Sequence, residues 1–168
     1  GDLAKLGYGL LKYGHLAIVV DEQGDSGKLR LFSSESFKGP NTREDIATLK
    51  EHSFDVYRLD KWNRVDVQRF HEFVQLAKDK AGKWYGYDFS GMFGLWNSNL
   101  RPTRAEEIGH DYICSTVVVT ALYYGGVELD AIQRNGIADV VTPLQVVASK
   151  GRVIDSPKGE LVVEKGEF

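Results

Sequence analysis

The spacing of apolar positions changes period several times along the chain, and each change predicts an element. His15 to Asp21 (His-Leu-Ala-Ile-Val-Val-Asp) is apolar and β-branched, which predicts a buried strand. Glu22 to Lys28 is a polar turn with two glycines, and Leu29 to Ser34 predicts a second strand, so the pair forms a hairpin. Gly1 to Tyr13 is mixed and punctuated by glycine, with a short strand expected at Asp2 to Leu6. Phe37 to Asp45 carries Gly39-Pro40-Asn41 and reads as a loop, whereas Ser53 to Leu59 alternates as a half-buried strand does.

The period then becomes helical. Val67, Phe70, Phe73, Val74 and Ala77 fall on one face of a helix, with Asn63 as the expected N-cap and Gly82 beyond its end. Trp84 to Arg104 is aromatic and glycine-rich without sustained period, and reads as a long packed loop with at most a short helix. Ile113 to Tyr124 is an apolar run closed by Gly125-Gly126, a second helix. Thr142-Pro143 supplies an N-cap and a first-turn proline for a helix within Val140 to Lys150, and Leu161 to Glu164 predicts a last strand. Together these elements predict an α+β fold.

At 168 residues the chain is read as one domain, 1–168, large enough to bury a core without staples. Its 42% hydrophobic and 27% charged residues are ordinary for a globular domain. A net charge of −3 argues against nucleic acid or an anionic membrane as partner. No apolar run reaches the roughly 18 residues a membrane span needs. One cysteine excludes an internal disulfide. The chain opens at Gly1 without a leader pattern, so a place in the bacterial cell envelope or periplasm is expected only if a signal was removed upstream.

Candidate chemistry centres on that cysteine. Cys114 stands in the first turn of the second predicted helix, where unpaired backbone N–H groups and the helix dipole favour a thiolate. The competing reading is a small buried hydrophobe, the common fate of a free cysteine. Of four histidines, His71 reads as a helix-surface residue and His52 lies in a polar stretch. His110 and Asp111, just before Cys114, make at best a weak metal site, because zinc wants three or four protein ligands. No metal or cofactor is therefore expected. His15 opens an apolar strand after Gly14, where it is either a core histidine bonded to backbone or a base for Cys114. With the turn centred near Asp25, the hairpin pairs His15 with Glu35, Ala17 with Ser33 and Val19 with Leu31, with facing Cβ atoms roughly 5 Å apart. Glu35 is then either the acid that orients His15 or a solvated acid at a loop edge. A slip of one residue brings Ser34 or Ser36 to that place instead. Ser115, beside the thiol, and the Cys114 N–H, a ready oxyanion donor, complete the candidate set.

The run Gly14-His15-Leu16-Ala17-Ile18-Val19 resembles the histidine strand of the circularly permuted papain-fold proteins, the YiiX/YebB-like branch of the NlpC-type cysteine peptidases and amidases. Gly1-Asp2-Leu3, Tyr87-Asp88-Phe89, Tyr112-Ile113-Cys114-Ser115 and Val141-Thr142-Pro143-Leu144 follow in the family order over nearly the whole chain. Histidine precedes cysteine, the reverse of unpermuted members. The resemblance implies a central antiparallel β-sheet or half-barrel packed against helices, with the nucleophile at a helix N-terminus. It implies a Cys114–His15 pair with a polar third member, for which Glu35 is the choice, and a substrate cleft lined by Tyr87 and Ser115. The implied activity is a thiol hydrolase that cleaves an amide bond in a small peptide, with cell-wall peptides as default substrate. Acyl transfer, thioester or lipid hydrolysis by the same pair, and a catalytically silent binding module, are the alternatives.

Overall fold

The computed structural model describes residues 7–11, 14–21, 28–35, 38–81, 99–109, 112–132 and 141–167. Eight strands form one antiparallel arrangement: β1 (Gly7–Leu11), β2 (His15–Asp21), β3 (Leu29–Glu35), β4 (Gly39–Asp45), β5 (Phe54–Leu59), β6 (Val127–Leu129), β7 (Lys150–Val153) and β8 (Ser156–Gly166). Their order across the sheet is β4-β3-β2-β1-β5-β8-β7-β6. The long β8 joins two parts of it, pairing its C-terminal end with β5 and the rest with β7. Among the described residues, three α-helices accompany the sheet: α1 (Val67–Ala81), α2 (Cys114–Tyr124) and α3 (Pro143–Val147). The fold is thus mixed α+β around an antiparallel sheet. Among the described residues, no helix is long and apolar enough to cross a membrane.

The β2–β3 hairpin keeps the predicted register, with Val19 opposite Leu31 and Ile18 opposite Phe32. Alternation along β2 divides the interior in two. Leu16, Ile18 and Val20 enter the main core with Phe32, Phe73 and the α2 valines. Ala17 and Val19 instead meet Leu31 and Leu49 in a smaller cluster on the other side. Helix α2 is buried nearly all round, which suits its apolar run and makes it the centre of the fold. It stops at Gly125-Gly126, where Gly126 takes a φ of +92° that a side chain would strain.

Helix α1 buries Phe70, Phe73, Val74 and Ala77, the face read from the sequence. Phe73 packs edge-on against Phe32, with ring centroids 6.4 Å apart, and against Tyr112 at 5.7 Å. Its cap is not Asn63, which lies in a short 3-10 turn, Trp62–Arg64. Asp66 takes that role, its carboxylate accepting from the Arg69 N–H at 3.2 Å. Helix α3 opens as expected: the Thr142 hydroxyl accepts from Gln145 N–H and the Gln145 amide oxygen accepts from Thr142 N–H.

Two further expectations are corrected. Gly39 to Asp45, read as a loop, is β4, and Pro40 is tolerated because β4 is an edge strand. Gly7 to Leu11, read as irregular, is β1, a central strand paired on both sides. The expected strand at Asp2 to Leu6 lies outside the described residues, as does most of the Trp84 to Arg104 stretch. The last strand is longer than Leu161 to Glu164 and has β7 as a partner.

Candidate active site

The β2–β3 ladder ends at Ile18 and Phe32, although β2 runs on to His15 and β3 to Glu35. In the opening between them, side chains replace the missing strand bonds. The Ser33 hydroxyl donates to the Leu16 carbonyl at 2.7 Å. The Ser34 hydroxyl donates to the Tyr112 carbonyl at 2.6 Å, across the chain from the residues that lead into α2. The Leu16 N–H acts on the Cys114 sulfur, together with the N–H groups of Ser115 and of Cys114 itself. Tyr112 to Cys114 therefore wedges into the splayed end of the hairpin.

Neighbouring bonds lock the wedge. The Thr116 hydroxyl accepts from the Ile113 N–H at 2.9 Å, closing the helix start. The Ser115 side chain is fully buried and donates to the Val141 carbonyl, which ties the first turn of α2 to the approach of α3. Its hydroxyl is thus a strut, and the part of Ser115 that faces the sulfur is its N–H. Tyr87, expected to line the cleft, lies outside the described residues, as do His110 and Asp111.

Electrostatics act on the two central groups in opposite senses. Burial pushes the Cys114 thiol above its ordinary range, and the three N–H groups offset only part of that rise. The expected thiolate-favouring helix start is therefore present but outweighed. Burial lowers the His15 imidazole, and the charges of Glu35 and then Glu44 offset part of the drop. Both shifts favour the uncharged forms, thiol and imidazole.

Glu35 influences His15 through its charge, while its carboxylate lies 3.5 Å from the Lys38 ammonium. Glu44 was not legible, because its stretch reads as a loop. The pairing of Leu31 with both Val19 and Glu44 puts it on a cross-strand row of the sheet. Alternation from Ala17 and Val19 carries His15 to the smaller-cluster side, whereas the sulfur meets β2 at the backbone of Leu16. The structure thus brings Cys114 to the strand end that begins with His15, and brings His15 under the charge of two acids. Among the described residues, no hydrogen bond joins the sulfur to the imidazole.

Among the described residues, two grooves are seen at the surface, and neither has Cys114 or His15 in its described lining. One of about 660 Å³ lies at the far end of β2, lined by Val20 and by α1 residues that include His71 and Glu72. The other, of about 300 Å³, lies between β4 and the end of α1. No protein-family model, curated protein or solved structure matches this chain. The functional reading therefore rests on the geometry and on the sequence motifs.

Proposed function

We propose that the protein is a thiol hydrolase of the permuted papain-like, NlpC-type class, acting on amide bonds of small peptides, those of the cell wall included. One observation carries the reading: the sulfur that opens α2 is seated against the N–H of Leu16, the residue next to His15. In this scheme His15 takes the Cys114 proton as the sulfur bonds to the carbonyl carbon. Backbone N–H groups of the α2 start receive the developing oxyanion. The C–N bond then breaks, the imidazolium gives its proton to the departing amine, and water deprotonated by His15 releases the acid from the thioester. Glu35, with Glu44 behind it, steadies the imidazolium through charge.

The test is alkylation of Cys114 by iodoacetamide in wild type and His15→Ala, beside hydrolysis of a peptide amide or thioester. Alkylation about tenfold slower in His15→Ala, with hydrolysis abolished in Cys114→Ser, is the expected result. Equal alkylation rates would sink the role of His15. The second reading is a binding module without turnover. It is favoured by the alternation that carries His15 toward the face opposite Leu16, and by the raised thiol. Absence of hydrolysis in a wild type that alkylates as fast as His15→Ala would decide for it.

A further inference from the structure

We propose that the groove between edge strand β4 and the last turns of α1 is an anion subsite, which holds a carboxylate or phosphate group of a bound ligand. It encloses about 300 Å³ and is lined by Lys38, Pro40, Asn41, Thr42, Arg43 and Lys78 among others. Three basic residues thus line one small concavity on a chain whose net charge is −3. The described lining holds basic but no acidic residues, and a concave wall concentrates their field.

The walls are held before any ligand arrives. The Asn41 side chain donates to the Gly39 carbonyl at 2.8 Å and accepts from the Arg43 N–H at 3.1 Å, which fixes the backbone that carries Arg43. The Arg43 guanidinium is exposed and pairs with no carboxylate among the described residues. Lys38 is shared with Glu35 at 3.5 Å, a half-exposed pair that an entering anion can join. Asp79, on the neighbouring turn of α1, accepts from the Gln75 side-chain amide. A planar guanidinium in a lining that also holds two lysines suits a carboxylate or a phosphate.

The groove also has a fixed relation to the thiol. Pro40 pairs with Ser34, and Ser34 bonds to Tyr112, two residues before Cys114. The groove and the start of α2 are thus linked through one strand pair and one hydrogen bond. That the bound ligand is the substrate rests on the hydrolase reading, whereas anion binding does not.

Titration of the isotope-labelled full chain, followed by amide NMR, tests the subsite with inorganic phosphate in one arm and N-acetylglutamate in the other. Saturable shifts at Asn41, Thr42, Arg43 and Lys78 are expected. Arg43→Gln should weaken them about tenfold, Arg43→Lys should retain most of the affinity, and added salt should weaken binding. Saturation by N-acetylglutamate alone assigns the carboxylate, and saturation by phosphate alone assigns the phosphate. No saturation by either probe, or unchanged affinity in Arg43→Gln, overturns the subsite. Cys114→Ser should titrate as wild type does, so failure of the groove and failure of the thiol chemistry are read separately.

Discussion

The Ser34 hydroxyl donates to the Tyr112 carbonyl at 2.6 Å, with both residues buried. This bond joins β3 to the chain just before Cys114, in the place where β2 and β3 have already parted. Removing the hydroxyl takes a buried hydrogen bond from the Tyr112 carbonyl, so Ser34→Ala should cost about 1 to 3 kcal/mol. It should also loosen the wedge that seats the sulfur. Urea unfolding measures the first effect and the Cys114 alkylation rate the second. A change in neither would mean that the bond holds nothing.

The pH dependence of Cys114 follows from its burial. With the thiol raised, its alkylation rate should reach half-maximum above the ordinary thiol value of about 8.5. Mild unfolding by urea should bring the midpoint back toward that value, since the exposed thiol loses the desolvation that raised it. A native profile centred below pH 8 would instead give the helix-start N–H groups the upper hand.

Much of this arrangement was legible from residue order, and the rest was hidden for physical reasons. The β-branched, apolar run gave away β2, the apolar positions Leu29, Leu31 and Phe32 gave away β3, and the polar turn between them set Val19 against Leu31. Five apolar residues at helical spacing gave the buried face of α1, and the Gly125-Gly126 stop gave the end of α2. Strand β1 was hidden because Gly7 and Gly9 carry no apolar signal. Its formation depends on pairing with β2 on one side and with β5, more than forty residues on, at the other. Strand β4 was hidden by Gly39-Pro40-Asn41, a turn signature that an edge strand accommodates. The contact of Cys114 with the Leu16 N–H had no signal at all, because it depends on where a ladder stops. The charge of Glu44 on His15 was hidden with β4 itself, because its stretch reads as a loop.

Acid should weaken the fold through two histidines. Burial holds His15 and His71 below the ordinary imidazole value, so the folded chain resists a proton that the unfolded chain accepts near pH 6.5. The stability tied to them is complete above that pH and is lost as pH falls toward the folded-state values. Glu35 and Glu44 at His15, and Asp21 at His71, offset part of the loss. The urea midpoint should therefore fall between about pH 7 and 5.5 and fall less in His71→Gln. A flat midpoint in wild type across that window would contradict the burial argument.

Glu128 on β6 should be costly to neutralise. Its side chain is 5% exposed and lies 3.1 Å from the Arg101 guanidinium and 3.4 Å from that of Arg152. It therefore ties residues 99–104 and β7 to one buried acid. Both arginines are nearly half exposed, so solvent screens part of the attraction. Glu128→Gln should lower stability by about 1 to 2 kcal/mol, with the slope of the urea transition unchanged. An unchanged midpoint would leave the two contacts as screened surface pairs.

Gly151 on β7 tests how tightly that same region is packed. An added Cβ would come within 2.9 Å of the Glu128 carbonyl oxygen and 2.9 Å of the Leu129 Cδ2. The first neighbour is strand backbone, which cannot swing aside as a flexible side chain does. The second belongs to a fully buried leucine, so relief must come from separating β6 and β7. Gly151→Ala should cost about 1 to 3 kcal/mol, although alanine disfavours no backbone angle there. The strain should spread to Glu128, because the clash falls on its carbonyl. A double variant with Glu128→Gln should then lose less than the sum of the two single changes. Strict additivity in urea unfolding would show that the two strands absorb the methyl group independently.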